Sequence, residues 1–367
     1  MLRLRLAILL IALPTPIPGL AQTPAAAERR ATRNEYSEAM QLHIAGYADV
    51  TYVDTRGVGG SLGTVTLAPI LHAQFGDRFL LEAELEMEMD DRGEQETALE
   101  YAALNWLLTD RQAIVVGKFL SPVGYFFQNL HPSWINKLAA VPVGFGHGGA
   151  APLTDVGVQW RGGATLSDSH QLNYALYYAN GPRLGLEGMD DLDLDVEGSM
   201  INRDGRRVWG GRVGWLPDPR LELGVSMARG EVILDPGDQS ASEEPSRAYR
   251  VDGMDVAWRP LPRIDLRGEW IRQQVSGASS SLVPDAATWR AWYLQGGYHF
   301  GSDRWESVLR FGDSVSPHGE STFQQMAVGL NYLIQPQTQL KLSWEFNSSD
   351  DADAAADRLL LQLAHGF

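Results

Sequence analysis

Residues 80–90 read Leu80-Leu81-Glu82-Ala83-Glu84-Leu85-Glu86-Met87-Glu88-Met89-Asp90. Carboxylates occupy every even position from 82 to 90, and apolar side chains occupy the odd positions between them. Successive side chains of a β-strand alternate between its two faces, whereas residues two apart on a helix point about 200° from each other. The stretch therefore predicts a strand with one apolar face and one face of five carboxylates.

Two kinds of sheet contain such a strand: a soluble sheet with its carboxylates in solvent, and a transmembrane barrel with its carboxylates in a water-filled lumen. Sixteen alternating segments follow one another between residues 42 and 367. Tight turns such as Gly76-Asp77 alternate along the chain with longer polar connections, which include 121–153, 181–205, 232–246, 276–286 and 348–356. Outer-membrane barrels have this asymmetry between their two ends. We therefore predict an all-β fold, a closed antiparallel transmembrane β-barrel of about 16 strands.

The beginning of the chain indicates export. Residues 1–21 contain Arg3 and Arg5, an apolar run and small residues before Gln22, which is typical of a secretory signal peptide. The alternative is a single membrane anchor, but the apolar run is short for a span. Residues 22–40 are small and polar, and we interpret them as a periplasmic leader before a barrel domain of residues 41–367.

The mature chain is acidic. Without the two arginines of the signal peptide, 28 basic residues remain against 46 acidic ones, which gives a net charge of −18. Such a charge argues against a nucleic-acid partner. The chain contains no cysteine, and therefore neither a disulfide nor a Cys-x-x-Cys-His haem attachment site. We predict no cofactor and no metal.

The predicted outward faces carry apolar stripes, for example Leu340, Leu342, Trp344 and Phe346. The last strand resembles the C-terminal signature of outer-membrane proteins, a terminal aromatic residue preceded by alternating apolar residues. In this chain the matching face carries Leu359, Leu361, Leu363, His365 and Phe367, with His365 departing from the signature. The resemblance implies insertion into the bacterial outer membrane, where lipid and lipopolysaccharide would surround the barrel.

The polar faces would then line a lumen. The predicted pore-lining residues are Glu82, Glu84, Glu86, Glu88, Asp90, His72, Arg161, Arg212, Arg263, Arg267, Arg310 and Lys341. Strands three and eleven of a sixteen-stranded barrel face each other, so acids on one wall and arginines opposite would set up a transverse field. Such a field favours small polar, dipolar or charged solutes over apolar ones. The alternative is that the carboxylates only solvate one wall.

The connection 121–153 is long for a segment without a strand pattern. It contains apolar side chains that need cover, among them Phe126, Leu130 and Leu138. We predict that this loop folds into the barrel and narrows the pore. The residues expected near the constriction are His131, Trp134, Lys137 and His147. The alternative is a loop that packs over the mouth of the barrel.

A family resemblance starts at the same loop. The segment 117–124 reads Gly-Lys-Phe-Leu-Ser-Pro-Val-Gly, and it is similar to the Gly-x-Phe-x-x-Pro-Phe-Gly element of the phosphate-selective porin O/P superfamily. Val123 departs from that element, and the segments 81–86 and 104–106 also resemble the superfamily. The resemblance implies a sixteen-stranded outer-membrane porin, commonly a homotrimer. Phosphate selectivity is not carried over, because the sequence has a carboxylate ladder where that selectivity needs lumenal arginines and lysines.

Two further motifs are weighed against this interpretation. The segment 59–63 fits Gly-x-Ser-x-Gly, but we place Ser61 in a hairpin loop without the strand–turn–helix context of a nucleophile elbow, so we predict no enzyme. Acids alternate at 191, 193, 195 and 197, but Val196 stands where a calcium loop needs glycine. Beside a passive channel, two alternatives remain: a barrel that sheathes a partner such as an electron-transfer cytochrome, and a surface receptor or adhesin.

Overall fold

The computed structural model describes residues 40–90, 92–146, 148–167, 169–187, 191–195, 205–235, 244–317, 322–350 and 355–367. The predicted signal peptide, residues 22–39 of the predicted leader and His147 lie outside these ranges. Eighteen strands and one short helix, α1 (Phe126–Leu130), make up the described secondary structure. No described helix is long and apolar enough to cross a bilayer.

Sixteen of the strands form one closed antiparallel barrel, which confirms the predicted fold class. The first half of the barrel comprises β1 Met40–Thr55, β2 Gly59–Phe75, β3 Phe79–Met89, β4 Gln95–Thr109, β5 Gln112–Leu120, β6 Thr154–Thr165, β7 Gln171–Asn180 and β10 Arg207–Asp218. The second half comprises β11 Leu221–Ile233, β12 Ser246–Leu261, β13 Ile264–Val275, β14 Ala287–Phe300, β15 Trp305–Val315, β16 Thr322–Gln335, β17 Thr338–Ser349 and β18 Arg358–Gly366.

Each barrel strand pairs with the next barrel strand along the chain, and β18 pairs with β1 to close the ring. The connections divide into a short-turn end, for example residues 110–111 and 336–337, and a long-loop end that carries 121–153. At the short-turn end, residues such as Asp, Gly and Pro supply the tight reversals.

The period-two pattern of residues 80–90 decides which face of β3 points outward. Leu85 is 40% exposed, whereas Glu84 is 1% exposed and faces the interior. Outward-facing apolar residues recur around the barrel, including Val158, Trp160, Leu176, Val225, Leu294, Leu309, Val328, Leu342, Trp344 and Leu361. The outer surface is thus apolar and the inner face of β3 is acidic, as the alternation predicts.

Two local predictions were wrong. The outer connection 181–205 contains a two-stranded antiparallel sheet, β8 (Arg183–Glu187) with β9 (Asp191–Asp195), instead of a loop without strands. The alternation at 191–195 was the strand signal. Ser61 lies within β2 and not in a hairpin loop, because β2 extends to Gly59.

Candidate functional site: the barrel interior

The loop 121–153, called the inward loop from here on, runs inside the barrel. It leaves β5 and returns to β6 through a backbone hydrogen bond from Ser121 N to Leu153 O of 2.9 Å. Between these residues it contacts inward-facing side chains of several strands, from β3 to β13 and β17. The prediction that this loop folds inward is therefore confirmed.

A carboxylate of β13 holds the beginning of the inward loop. Glu269 accepts hydrogen bonds from the backbone N–H groups of Tyr125 and Phe126, each at 3.0 Å. Gly124 has φ +86°, and a Cβ atom there would lie 2.0 Å from Glu269 Oε1. Glycine at this position thus permits both the left-handed backbone and the close approach of the carboxylate. Gly124 N also donates to Ser226 Oγ at 3.2 Å.

Basic and amide side chains on β15–β18 hold the second half of the inward loop through its backbone carbonyls. Arg310 donates to Ala140 O and Val141 O, both at 3.0 Å. Lys341 donates to Ser133 O, and three amide side chains donate to the carbonyls of residues 134, 137 and 139. Buried carbonyls need such donors, because leaving one unpaired costs about 1–3 kcal/mol. Arg310 and Lys341 are therefore anchors of the loop.

An apolar cluster fills part of the barrel interior around the inward loop. It combines loop residues with inward-facing residues of β4, β5, β7 and β10–β14. Phe126 and Phe145 both contact Tyr293 edge to face, with ring centroids 6.1 and 5.2 Å apart. Trp289, also inward on β14, is fully buried. The sequence of β14 indicates that its inner face is apolar at this point, since the strand carries large apolar residues on both faces.

The other predicted basic residues are paired with neighbouring acids. Arg212 binds Asp255, with Nε–Oδ2 at 2.9 Å, and Glu222, with Nη2–Oε1 at 2.9 Å. Arg267 Nε lies 2.6 Å from Asp265 Oδ1. Opposite-charge pairs at such distances cancel most of each other's field beyond their own neighbourhood. In the part of the barrel that the structure describes, these acids therefore offset the positive charge of the predicted arginines opposite β3.

Two of the residues predicted to line the pore lie beyond the strands. Arg263 is in the turn between β12 and β13, is half exposed, and pairs with Asp303 of the adjacent turn at 3.0 Å. Asp90 follows the end of β3, and its Oδ1 accepts the N–H groups of Arg92 and Glu94 at 2.9 and 2.8 Å. Neither residue lies in a strand, because β3 ends at Met89 and β13 begins at Ile264; the alternation in the sequence continues into the turn residues.

The carboxylate ladder itself is divided among several partners. Tyr47, on β1, has its hydroxyl 3.0 Å from Glu84 Oε1 and 2.9 Å from Glu86 Oε2. Glu82 accepts a hydrogen bond from Asn105 Nδ2 at 2.7 Å. Glu88 is near the long-loop end of β3 and is exposed. Tyr47 was not predicted as a partner of the carboxylate ladder, because a tyrosine in an alternating strand does not reveal which face it occupies.

The residues predicted at the constriction are spread across the interior. His131 lies against β1 and β3, and Lys137 pairs with Glu306 of β15. The backbone oxygen of Trp134 accepts from Gln339 of β17 at 2.6 Å. These three residues mark where the loop meets the walls on both sides of the ring closure between β1 and β18.

The buried imidazole of His131 faces the ladder directly. Its Nε2 lies 3.7 Å from Glu84 Oε1, and its Nδ1 lies 2.9 Å from Phe127 O. Burial lowers the pKa of His131, but the Glu84 carboxylate, the Phe127 carbonyl and the charge of Glu100 together raise it by more, so the pKa lies above the ordinary value of 6.5. The contact between His131 and Glu84 thus links the end of α1 to β3.

The described residues of the inward loop line three cavities. A vestibule of about 440 Å³ lies at the short-turn end; its lining includes Gln128, Asn129, Arg161, Asn173, Arg212 and Glu222. A niche of about 170 Å³ adjoins it along β3–β6, and both are lined by Gln128 and Arg161. A third cavity of about 310 Å³, at the long-loop end, is lined by loop residues 140–150 and by β14–β16. Among the described residues, this third cavity shares no lining with the other two.

Comparisons with known proteins bear on the fold. No family model matches this sequence, and no curated protein matches it. Solved structures do: an anion-selective porin from Comamonas acidovorans has 13% identity and a TM-score of 0.59, over 89% of this chain and 100% of that one. Salmonella typhi OmpF in complex with daunomycin has 12% identity and a TM-score of 0.57, over 90% and 99%.

A third similar structure is the outer membrane channel DcaP of Acinetobacter baumannii, with 13% identity and a TM-score of 0.53, over 90% of this chain and 98% of that one. At these identities the likeness establishes a shared fold, that of bacterial outer-membrane porins. The narrower resemblance to the phosphate-selective O/P superfamily stays a prediction.

We expect Gly124→Ala to loosen the inward loop more than Gly148→Ala does. Both glycines have positive φ, so each substitution costs about 1–2 kcal/mol of backbone strain. Only at position 124 does the new methyl group also displace Glu269, which leaves two buried N–H groups without an acceptor at about 1–3 kcal/mol each. Limited proteolysis of the loop in detergent measures the difference. Equal cleavage of the two variants would contradict the assigned role of Glu269.

We expect the docking of His131 to be pH dependent. A folded-state pKa above the unfolded value means that the contribution to stability is complete at low pH and is lost as pH rises through the folded pKa. The stability difference between wild type and His131→Gln should therefore shrink from pH 5.5 towards pH 9, as urea unfolding in detergent would show. His43→Gln, at an exposed position of β1, is the control. A difference that stays constant with pH would refute the His131–Glu84 interaction.

Proposed function

We propose that the protein is an outer-membrane porin, a water-filled channel for the passive diffusion of small polar or charged solutes. The observation that carries this proposal is the closed barrel of sixteen strands, with an apolar outer surface and charged residues inside. An apolar exterior suits hydrocarbon, and a charged interior suits water. The similarity in fold to solved porins supports the same function.

In this proposal, the inward loop sets the width of the channel. It is held by Glu269 on β13, Arg310 on β15 and Lys341 on β17, and it lies between the cavities of the two ends. The loop also takes the place that a sheathed partner would occupy, which weighs against the scaffold alternative. Solutes therefore pass beside the loop, along β3–β6, where the vestibule and the niche lie.

The charge pattern favours cations over anions. Arg212, Arg267 and Arg310 have acids beside them, with Arg310 Nη2 at 3.9 Å from Glu345 Oε1. Glu86 and Glu88 continue the ladder towards the long-loop end. In contrast to the arginines, Glu86 has no oppositely charged arginine or lysine paired to it in the described residues; its partner is the Tyr47 hydroxyl. A lumen wall with excess carboxylate raises the local concentration of cations.

Two further proposals concern the surroundings of the barrel. Arginines adjoin each other on its outer face towards the long-loop end, with Arg229 opposite Arg250 and Arg272 opposite Arg290. Guanidinium groups bind phosphate well, which supports outer-leaflet lipopolysaccharide as a partner in addition to lipid. A homotrimer rests on the family resemblance, and the mass of the detergent-solubilised protein would test it.

Reconstitution into planar bilayers tests the channel. We expect stepwise current increases from the purified protein in KCl, and steps several-fold larger when residues 126–150 are replaced by a short Gly-Ser linker. Removal of the loop widens the narrowest part of the bore, and heat-modifiable migration in gels verifies that both proteins are folded. A folded wild type and a folded loop variant that both fail to conduct would overturn the proposal.

Selectivity is a separate prediction. We expect a cation preference in wild type, and a fall in the cation-to-anion permeability ratio towards unity in Glu86→Gln/Glu88→Gln, because two lumenal carboxylates are lost. Glu231→Gln is the matched control, since Glu231 is exposed on β11 and pairs with Arg206. Reversal potentials in a KCl gradient measure the ratio. An identical ratio in all three proteins would refute a role of the ladder.

A further inference from the structure

The niche beside β3–β6 brings two opposite charges together without saturating either. Arg161 Nη2 lies 3.6 Å from Glu82 Oε2, which is longer than a hydrogen bond. Asn105 holds both groups in place, since its Nδ2 donates to Glu82 Oε2 at 2.7 Å and its Oδ1 accepts from Arg161 Nη2 at 2.8 Å. A guanidinium has five N–H donors, so most of the donors of Arg161 stay available to a solute.

The remaining lining of the niche divides into apolar and polar parts. Ala103, Val115 and Phe119 are buried residues that provide an apolar surface. Gln159, 1% exposed, also lines the niche, and its buried Nε2 has no hydrogen-bond partner among the described residues. A buried donor without an acceptor is costly, and a solute oxygen in the niche would remove that cost.

We propose that this niche binds zwitterionic α-amino acids with apolar side chains. An α-amino acid carries its ammonium and carboxylate groups on one carbon, so both reach partners that lie 3.6 Å apart. The ammonium group pairs with Glu82, the carboxylate pairs with Arg161 and accepts from Gln159, and the side chain covers Val115 and Phe119. This inference deepens the proposed porin function, on which it rests for its place in transport, by naming a solute class.

The geometry also explains why a solute with a single charge would bind less well. A cation alone would pair with Glu82 but lie beside the guanidinium of Arg161, and an anion alone would meet the reverse conflict. Only a solute with both charges satisfies both groups at once. The niche therefore discriminates by charge pattern, in contrast to the general cation preference of the ladder.

Equilibrium dialysis of the folded protein in detergent tests this binding without requiring conduction. The probes are L-leucine, 3-methylbutylamine, which lacks the carboxylate, and 4-methylpentanoate, which lacks the ammonium group. We expect wild type to bind leucine at least about tenfold more tightly than either analogue, the size of effect that one lost charge pair of this kind produces. Equal binding of the three probes, or no binding of leucine, would overturn the proposal.

Variants then locate the site. Glu82→Gln and Arg161→Gln should each reduce leucine binding to the level of the analogues, whereas Arg220→Gln, which removes a positive charge from the exposed turn between β10 and β11, should leave it unchanged. Leucine binding that survives both niche substitutions in folded protein would refute the site. Arg161→Lys, which retains the charge, should retain part of the binding and so serves if Arg161→Gln fails to fold.

Conductance in KCl separates this proposal from the porin function. If the protein conducts but binds leucine no better than its analogues, the porin function stands and the proposed binding niche is wrong. If the protein binds leucine through Glu82 and Arg161 but never conducts, the niche stands as a binding site and the porin function is wrong.

Discussion

The closure of the sheet between β1 and β18 is the constraint on which the rest of the structure depends. An open sheet leaves the N–H and C=O groups of its two edge strands unpaired, and an apolar medium offers them no partner. Here Gly46 and Phe367 exchange two backbone hydrogen bonds of 3.0 and 2.9 Å at the seam. A Cβ atom at Gly46 would lie 2.4 Å from Ala68 O, so glycine lets β1 lie close to β2 at this point. The ring then fixes which side chains face inward.

A ring of sixteen strands encloses more space than its own side chains fill, and the inward loop occupies part of that space. A loop inside the barrel brings backbone carbonyls away from bulk water, so the wall has to supply donors. Arg310 and Lys341 do this, with amide side chains beside them. Much of the positive charge that the sequence predicts in the lumen is therefore used to hold the inward loop. The wall of β3–β6, where Glu82 and Arg161 lie 3.6 Å apart beside a cavity, is the part of the interior that we propose for solutes.

The sequence predicted the strands well, because each strand satisfies the same local rule. The alternation in β3 and β18 and the regular succession of turns and loops required no knowledge of distant contacts. The hydrogen bond between Tyr125 and Glu269 joins residues far apart in the chain, and no local pattern identifies the pair. The ion pairs of Arg212 and Arg267 were not predicted for a related reason. Alternation shows that a side chain faces inward, but it does not show that an acid on the same or a neighbouring strand neutralises it.

The central claim is that the odd-numbered face of β3 meets hydrocarbon and the even-numbered face meets the lumen. Since the chain has no cysteine, single cysteines at Leu85, Glu86, Met87, Glu88 and Met89 can carry spin labels in lipid vesicles. Collisions with oxygen, which concentrates in the bilayer, should dominate at 85, 87 and 89. Collisions with a water-soluble nickel chelate should dominate at 86 and 88. Equal access of the chelate to all five positions, or the opposite alternation, would contradict the account.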